Sequence, residues 1–96
     1  TLPNIQEAKT LGRSLLDHRL AACIQIQEGV YSIYRWDDQI CEETEVLLSA
    51  KTSETSWPAL ESYIVEHHPY DLPEIIALSP SQYSQAYGAW VSKELK

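Results

Sequence analysis

The chain contains no phenylalanine and no methionine, so its apolar bulk comes from aliphatic side chains, three tryptophans and six tyrosines. Indole and phenol groups carry a polar handle and suit half-buried or interface positions. Only two cysteines occur, Cys23 and Cys41, with no CxxC spacing. That excludes a disulfide-stapled scaffold and fits a reducing, cytoplasmic location. Basic residues are scarce: seven Lys or Arg stand against fourteen Asp or Glu, for a net charge of −7. A phosphate backbone is repelled by that balance and no basic cluster offsets it, so nucleic acid is not an expected partner. No apolar run approaches the roughly 20 residues needed to cross a bilayer, so no membrane partner is expected either. GxSxG, HExxH, P-loop and GxGxxG signatures are all absent, and the chain does not read as an enzyme.

What is present describes one domain, residues 1–96, with a core of modest size. Asn4 reads as a helix N-cap, with Glu7 placed to close a capping box. Ile5, Ala8, Leu11, Leu15 and Leu16 then follow at helical spacing to an end near His18 or Arg19. From Ala22 to Trp36 the pattern turns to strand, with a parity shift at Glu28-Gly29 that suggests a bulge. Asp37-Asp38-Gln39 reads as the turn, and residues 40–51 as the return strand. A second helix opens at Ser53-Glu54-Thr55-Ser56 and is stopped by Pro69. Residues 74–78 read as a short buried strand, and residues 84–95 as a last helix. The order α-β-β-α-β-α becomes the ferredoxin-like βαββαβ motif, with a C-terminal helix, if one more strand precedes Thr1. This α+β class is the expectation, with that first strand lying outside the sequence.

Each hairpin arm, at 12 to 15 residues by this reading, spans about 40–50 Å. A compact domain of this length is only about 32 Å across. Either bulges break the arms or the hairpin projects, and a projecting apolar hairpin is best covered by pairing with another chain. With a three-residue turn Arg35 lies opposite Cys41, and Cys23 sits at the far end of the other arm. The two thiols then cannot meet within one chain.

Five segments occur in order: Leu20-Ala21-Ala22-Cys23, Ser32-Ile33-Tyr34-Arg35-Trp36, Glu45-Val46-Leu47-Leu48 with Lys51-Thr52, His68-Pro69-Tyr70-Asp71-Leu72-Pro73-Glu74-Ile75-Ile76-Ala77-Leu78, and Tyr87-Gly88-Ala89-Trp90. Together, over essentially the whole chain, they resemble the CutA divalent-cation tolerance family. The resemblance implies a ferredoxin-like subunit in a tight homotrimer, similar in architecture to the PII signalling proteins. It also implies a role in tolerance to divalent metals, copper above all, and in animals the anchoring of acetylcholinesterase. The copper ligands it implies are His67 and His68, with a first-strand cysteine that would lie before Thr1.

Two readings stand for the histidine pair. Imidazole suits Cu²⁺, Zn²⁺ or Ni²⁺, but neighbours on a helix point about 100° apart. The same rings could simply cap the helix C-terminus, where the macrodipole favours a cation. Cys23 reads as core packing or as a pocket thiol. Lys51, Tyr70 and Glu74 could line a pocket at a subunit boundary, as PII similarity suggests, or serve as an ion pair and a turn anchor. Tyr34, Trp36 and Trp90 are expected at interfaces. The acidic hairpin tip reads as solvated surface, lacking the oxygen spacing of a Ca²⁺ loop. Two functions follow: a trimeric, cytoplasmic metal-binding protein, and alternatively a PII-like module that takes a small ligand or a protein in its inter-subunit clefts.

Overall fold

The computed structural model describes residues 1–96. Asn4 holds the chain extended, at φ −156° and ψ 169°, and its side-chain oxygen accepts the Glu7 amide at 2.9 Å. Helix α1 (Ile5–Asp17) starts there and turns Ala8, Leu11 and Leu15 inward. Gly12 allows its close approach to the sheet, since a Cβ at that position would stand 2.9 Å from Ile24 Cγ2. The helix ends in a Schellman arrangement, with the Leu20 amide on Leu15 O and the Arg19 amide on Leu16 O. Arg19 takes the left-handed conformation (φ 54°) usually given to glycine. Its guanidinium reaches the last turn of the C-terminal helix, donating to Glu94 O at 3.2 Å.

Strands β1 (Cys23–Trp36) and β2 (Gln39–Lys51) form an antiparallel hairpin running from Cys23↔Lys51 to Trp36↔Gln39. The register breaks between Gln27 and Val30, where Gly29 sits at φ 79°, so the glycine does mark a bulge. The tip differs from the expected three-residue turn. Asp37 and Asp38, at φ 50° and 61°, make a two-residue turn whose twist matches the strands. As a result Cys41 faces Tyr34 and Arg35 faces Ile40. Cys23 pairs with Lys51, ten positions along β2 from Cys41, which is about 33 Å of strand. Both thiols are free.

Helices α2 (Trp57–His67) and α3 (Gln85–Glu94) complete the α+β fold. Residues 74–78 do not form the expected buried strand: no strand is present there, and Ile76 and Leu78 are 71% and 88% exposed. The apolar run of four, Ile75 to Leu78, becomes a strand only by pairing with a sheet edge, and it pairs with neither edge of the two-stranded sheet. Beyond its two strands the sheet gains a single bridge, Leu2 to Val46.

The core gathers under the root of the hairpin: Leu2, Ala8, Leu11, Leu15, Leu20, Ala21, Val46 and Leu60. Past Val46 the arms extend beyond it. The molecule measures 45 × 26 × 22 Å, and its radius of gyration of 14.4 Å exceeds the roughly 12.5 Å of a compact chain this long. Projection and bulge occur together. The projecting part leaves Tyr31, Ile33, Trp36 and Ile40 half or more exposed.

Candidate functional site

The corner after α2 is built by Pro69, which biases His68 out of the helical region. His68 adopts φ −77° and ψ 142°, so its ring leaves the path that His67 follows on the helix. The two imidazoles then meet different partners. His67 Nδ1 lies 2.8 Å from Tyr63 O, one turn back, and its ring stacks on the Tyr63 ring at 4.0 Å. A carbonyl only accepts, so Nδ1 carries the proton and Nε2 of the neutral ring keeps a free lone pair.

His68 has no such freedom. Its Nε2 lies 2.8 Å from Thr1 O, and its Nδ1 accepts the Tyr70 amide at 3.0 Å. Those partners specify the Nε2–H tautomer and occupy both nitrogens. A metal would have to displace Thr1 O. As the chain stands, His67 fits a divalent transition metal and His68 fits a structural clamp. No three His, Cys, Asp or Glu side chains converge anywhere in the chain.

The pocket residues fall into two places. Cys23 and Lys51 face each other at the hairpin root, where Lys51 Nζ donates to Gln25 Oε1 at 2.6 Å. Burial and then the neighbouring Cys23 push the Tyr87 phenol up. Tyr70 sits instead six positions along β2, donating its hydroxyl to Glu45 Oε2 at 2.9 Å. Glu74 is exposed and forms no ion pair with Lys51. Tyr34, Trp36 and Trp90 are all exposed in the single chain. The Glu43 carboxylate nearby is the main cause that pushes the Tyr34 phenol up to about 12.

Glu45 is the residue that sequence reading missed. It belongs to the acidic run assigned to solvent, yet it is only 6% exposed. Burial alone pushes its carboxyl up, but polar contacts from Ser32, Tyr70 and Thr1 outweigh that and hold it below the usual carboxylate range. A lowered native value means that Glu45 stabilises the fold fully above the ordinary carboxylate value of about 4.3. That stabilisation is lost as pH falls through the native value. Tyr70→Phe is therefore expected to cost about 1–3 kcal/mol at neutral pH, because a buried carboxylate loses a donor. It should also move the acid-unfolding limb to higher pH. Urea midpoints at neutral pH and along an acid series check this, and unchanged midpoints contradict it.

A long antiparallel hairpin, packed at its root on the helices and bearing exposed apolar side chains along its projecting arms, places the chain in a class of α+β proteins built around an extended hairpin. Within that class the chain belongs to the CutA1 divalent ion tolerance family, whose model matches residues 1–94. It is 38% identical over 91 residues to the divalent-cation tolerance protein CutA of Thermus thermophilus, covering 95% of this chain and 88% of that protein. It is 40% identical over 91 residues to mouse protein CutA, covering 95% of this chain and 51% of the other. The chain thus spans most of the bacterial relative and about half of the mouse one. The solved structure of the Thermus thermophilus protein superposes with a TM-score of 0.95 at 36% identity, over 99% of this chain and 92% of that one.

Proposed function

We propose that this protein contributes to divalent-metal tolerance by binding a transition-metal ion, Cu²⁺ foremost, as a homotrimer in the cytoplasm. The observation that carries the reading is the His67 ring, tied by Nδ1 to the Tyr63 carbonyl and keeping a free Nε2 at an exposed helix end. Metal-binding histidines commonly hold their second nitrogen in this way. Membership of a family named for divalent ion tolerance supports the same reading. Assembly is supported by the projecting hairpin, whose apolar side chains have no core beneath them. Two free thiols suit a reducing compartment. The test is calorimetric titration with Cu²⁺ in the presence of glycine as a competing chelator. The expected result is saturable uptake that His67→Ala weakens; equal affinity in that variant contradicts the reading.

A second reading rests on the hairpin face away from α1. A polar hollow of about 290 Å³ lies there, lined by Gln25, Ile26, Gln27, Leu47 and Ser49. Subunits meeting over that face would enclose it as a cleft for a small polar ligand or a protein segment, as in a PII-like module. A thermal-shift screen with nucleotides and small organic acids separates the two readings. A stabilising ligand in a metal-free sample favours the second.

A further inference from the structure

The hairpin root holds a cation that no carboxylate answers. Lys51 is fixed at both ends: its carbonyl accepts the Ala22 amide at 2.9 Å, and its ammonium donates to Gln25 Oε1 at 2.6 Å. The chain carries twice as many acidic as basic residues, yet its ion pair joins Arg19 and Glu94 and leaves Lys51 out. Glu45, the next carboxylate on this face of β2, lies six positions away, about 20 Å of strand, and is taken by Tyr70. Glu28 stands in the bulge and pairs with no cation. The register puts Gln25 opposite Ser49 and Gln27 opposite Leu47, and these four, with Ile26, line the polar hollow of about 290 Å³. Gln25 keeps its amide N–H groups, since Lys51 uses only its oxygen, and Gln27 and Ser49 add an amide and a hydroxyl.

We infer that this hollow binds a small anionic molecule, held by its carboxylate or phosphate group against the Lys51 ammonium and the side-chain amides of Gln25 and Gln27. The inference rests on the second reading above and names the charge of its ligand. An ammonium resting on a neutral amide keeps its full charge and its remaining N–H donors, whereas a carboxylate partner would have cancelled that charge. Lysine acts as a point charge toward carboxylate and phosphate, and glutamine N–H groups supply directed donors beside it. A cation does not fit the same place, because the lining holds no carboxylate, thiol or imidazole. Ile26 and Leu47 offer apolar contact to a carbon skeleton. The acidic tip of the hairpin lies well beyond the Debye length of about 8 Å and is screened from this end at physiological salt.

The test uses citrate and pyrophosphate as probes, titrated calorimetrically into the full chain at fixed ionic strength, with glucose as a neutral polar control. The unsubstituted protein, Lys51→Met, Lys51→Arg and Gln27→Ala are run in parallel, and circular dichroism melts confirm that each is folded. At least one anion should bind saturably, and the tighter of the two names the group. The side-chain amide resonances of Gln25 and Gln27 should shift with it in proton–nitrogen NMR spectra. Lys51→Met should weaken binding by about tenfold or more, and Gln27→Ala by about threefold or more. Lys51→Arg, which keeps the charge, should lose less than Lys51→Met. Parent-like affinity in Lys51→Met, or anion binding that leaves both glutamine amides unmoved, overturns the inference. Saturable binding of glucose with none of either anion also overturns it and leaves the second reading standing. No binding here and none in the broader ligand screen overturns both.

Discussion

Ile33→Asp is expected to convert the proposed trimer into single chains at concentrations where the unsubstituted protein assembles. Ile33 is 62% exposed, and its neighbours Tyr31 and Ile40 are 61% and 59% exposed, so the tip has no core of its own. Covering an aliphatic side chain of this size is worth about 1.5–3 kcal/mol. Placing an unpaired carboxylate in the same contact reverses the sign, because the charge must leave water. In the proposed trimer three equivalent copies would multiply the effect. The chain itself should stay folded, since the buried cluster reaches only to Val46 on β2 and does not touch Ile33. Sedimentation velocity reads the assembly and circular dichroism the fold. A trimer in both proteins would mean that this face is not the interface.

The second large effect lies at the hairpin root. Leu15→Ala is expected to lower the stability of the fold by about 2–5 kcal/mol. Leu15 is fully buried, at 0% exposure, among Ala8, Leu11, Leu20 and Leu60. Small domains have about 5–15 kcal/mol in total, so this one truncation removes a large share. The core has few other members to redistribute the loss. Urea unfolding at a fixed protein concentration measures it, and a loss below about 1 kcal/mol would show that the site collapses or that another core dominates.

The legible parts of the fold were those decided locally. Asn4 is followed by the Glu7 amide three residues on, and that bond closes without help from the rest of the molecule. Gly29 sits where the strand parity changes, and it takes the positive φ of a bulge. Pro69 ended α2 because its ring disfavours helix at His68. Hairpin length against domain size foretold projection, since both follow from residue count.

What sequence left hidden depends on neighbours far along the chain. The tip turn is one residue shorter than expected because two successive aspartates accept positive φ, and this shifts every cross-strand pair by one. Residues 74–78 have the composition of a strand, but composition does not supply a partner edge. Glu45 looks like its acidic neighbours until Tyr70, twenty-five residues on, folds back to donate to it. The histidine pair reads as a unit in sequence, yet a backbone change at one residue commits His68 to Thr1 and Tyr70 and leaves His67 free.

Native mass spectrometry, with Cu²⁺ added against a glycine competitor, tests the metal reading most directly, because it reports assembly and stoichiometry in one spectrum. The expected result is a trimer that saturates at three ions, one per His67, and takes up none in that defined ratio once His67 is alanine. A trimer that stays bare, or fills without a fixed ratio, or fills equally well without His67, would contradict it.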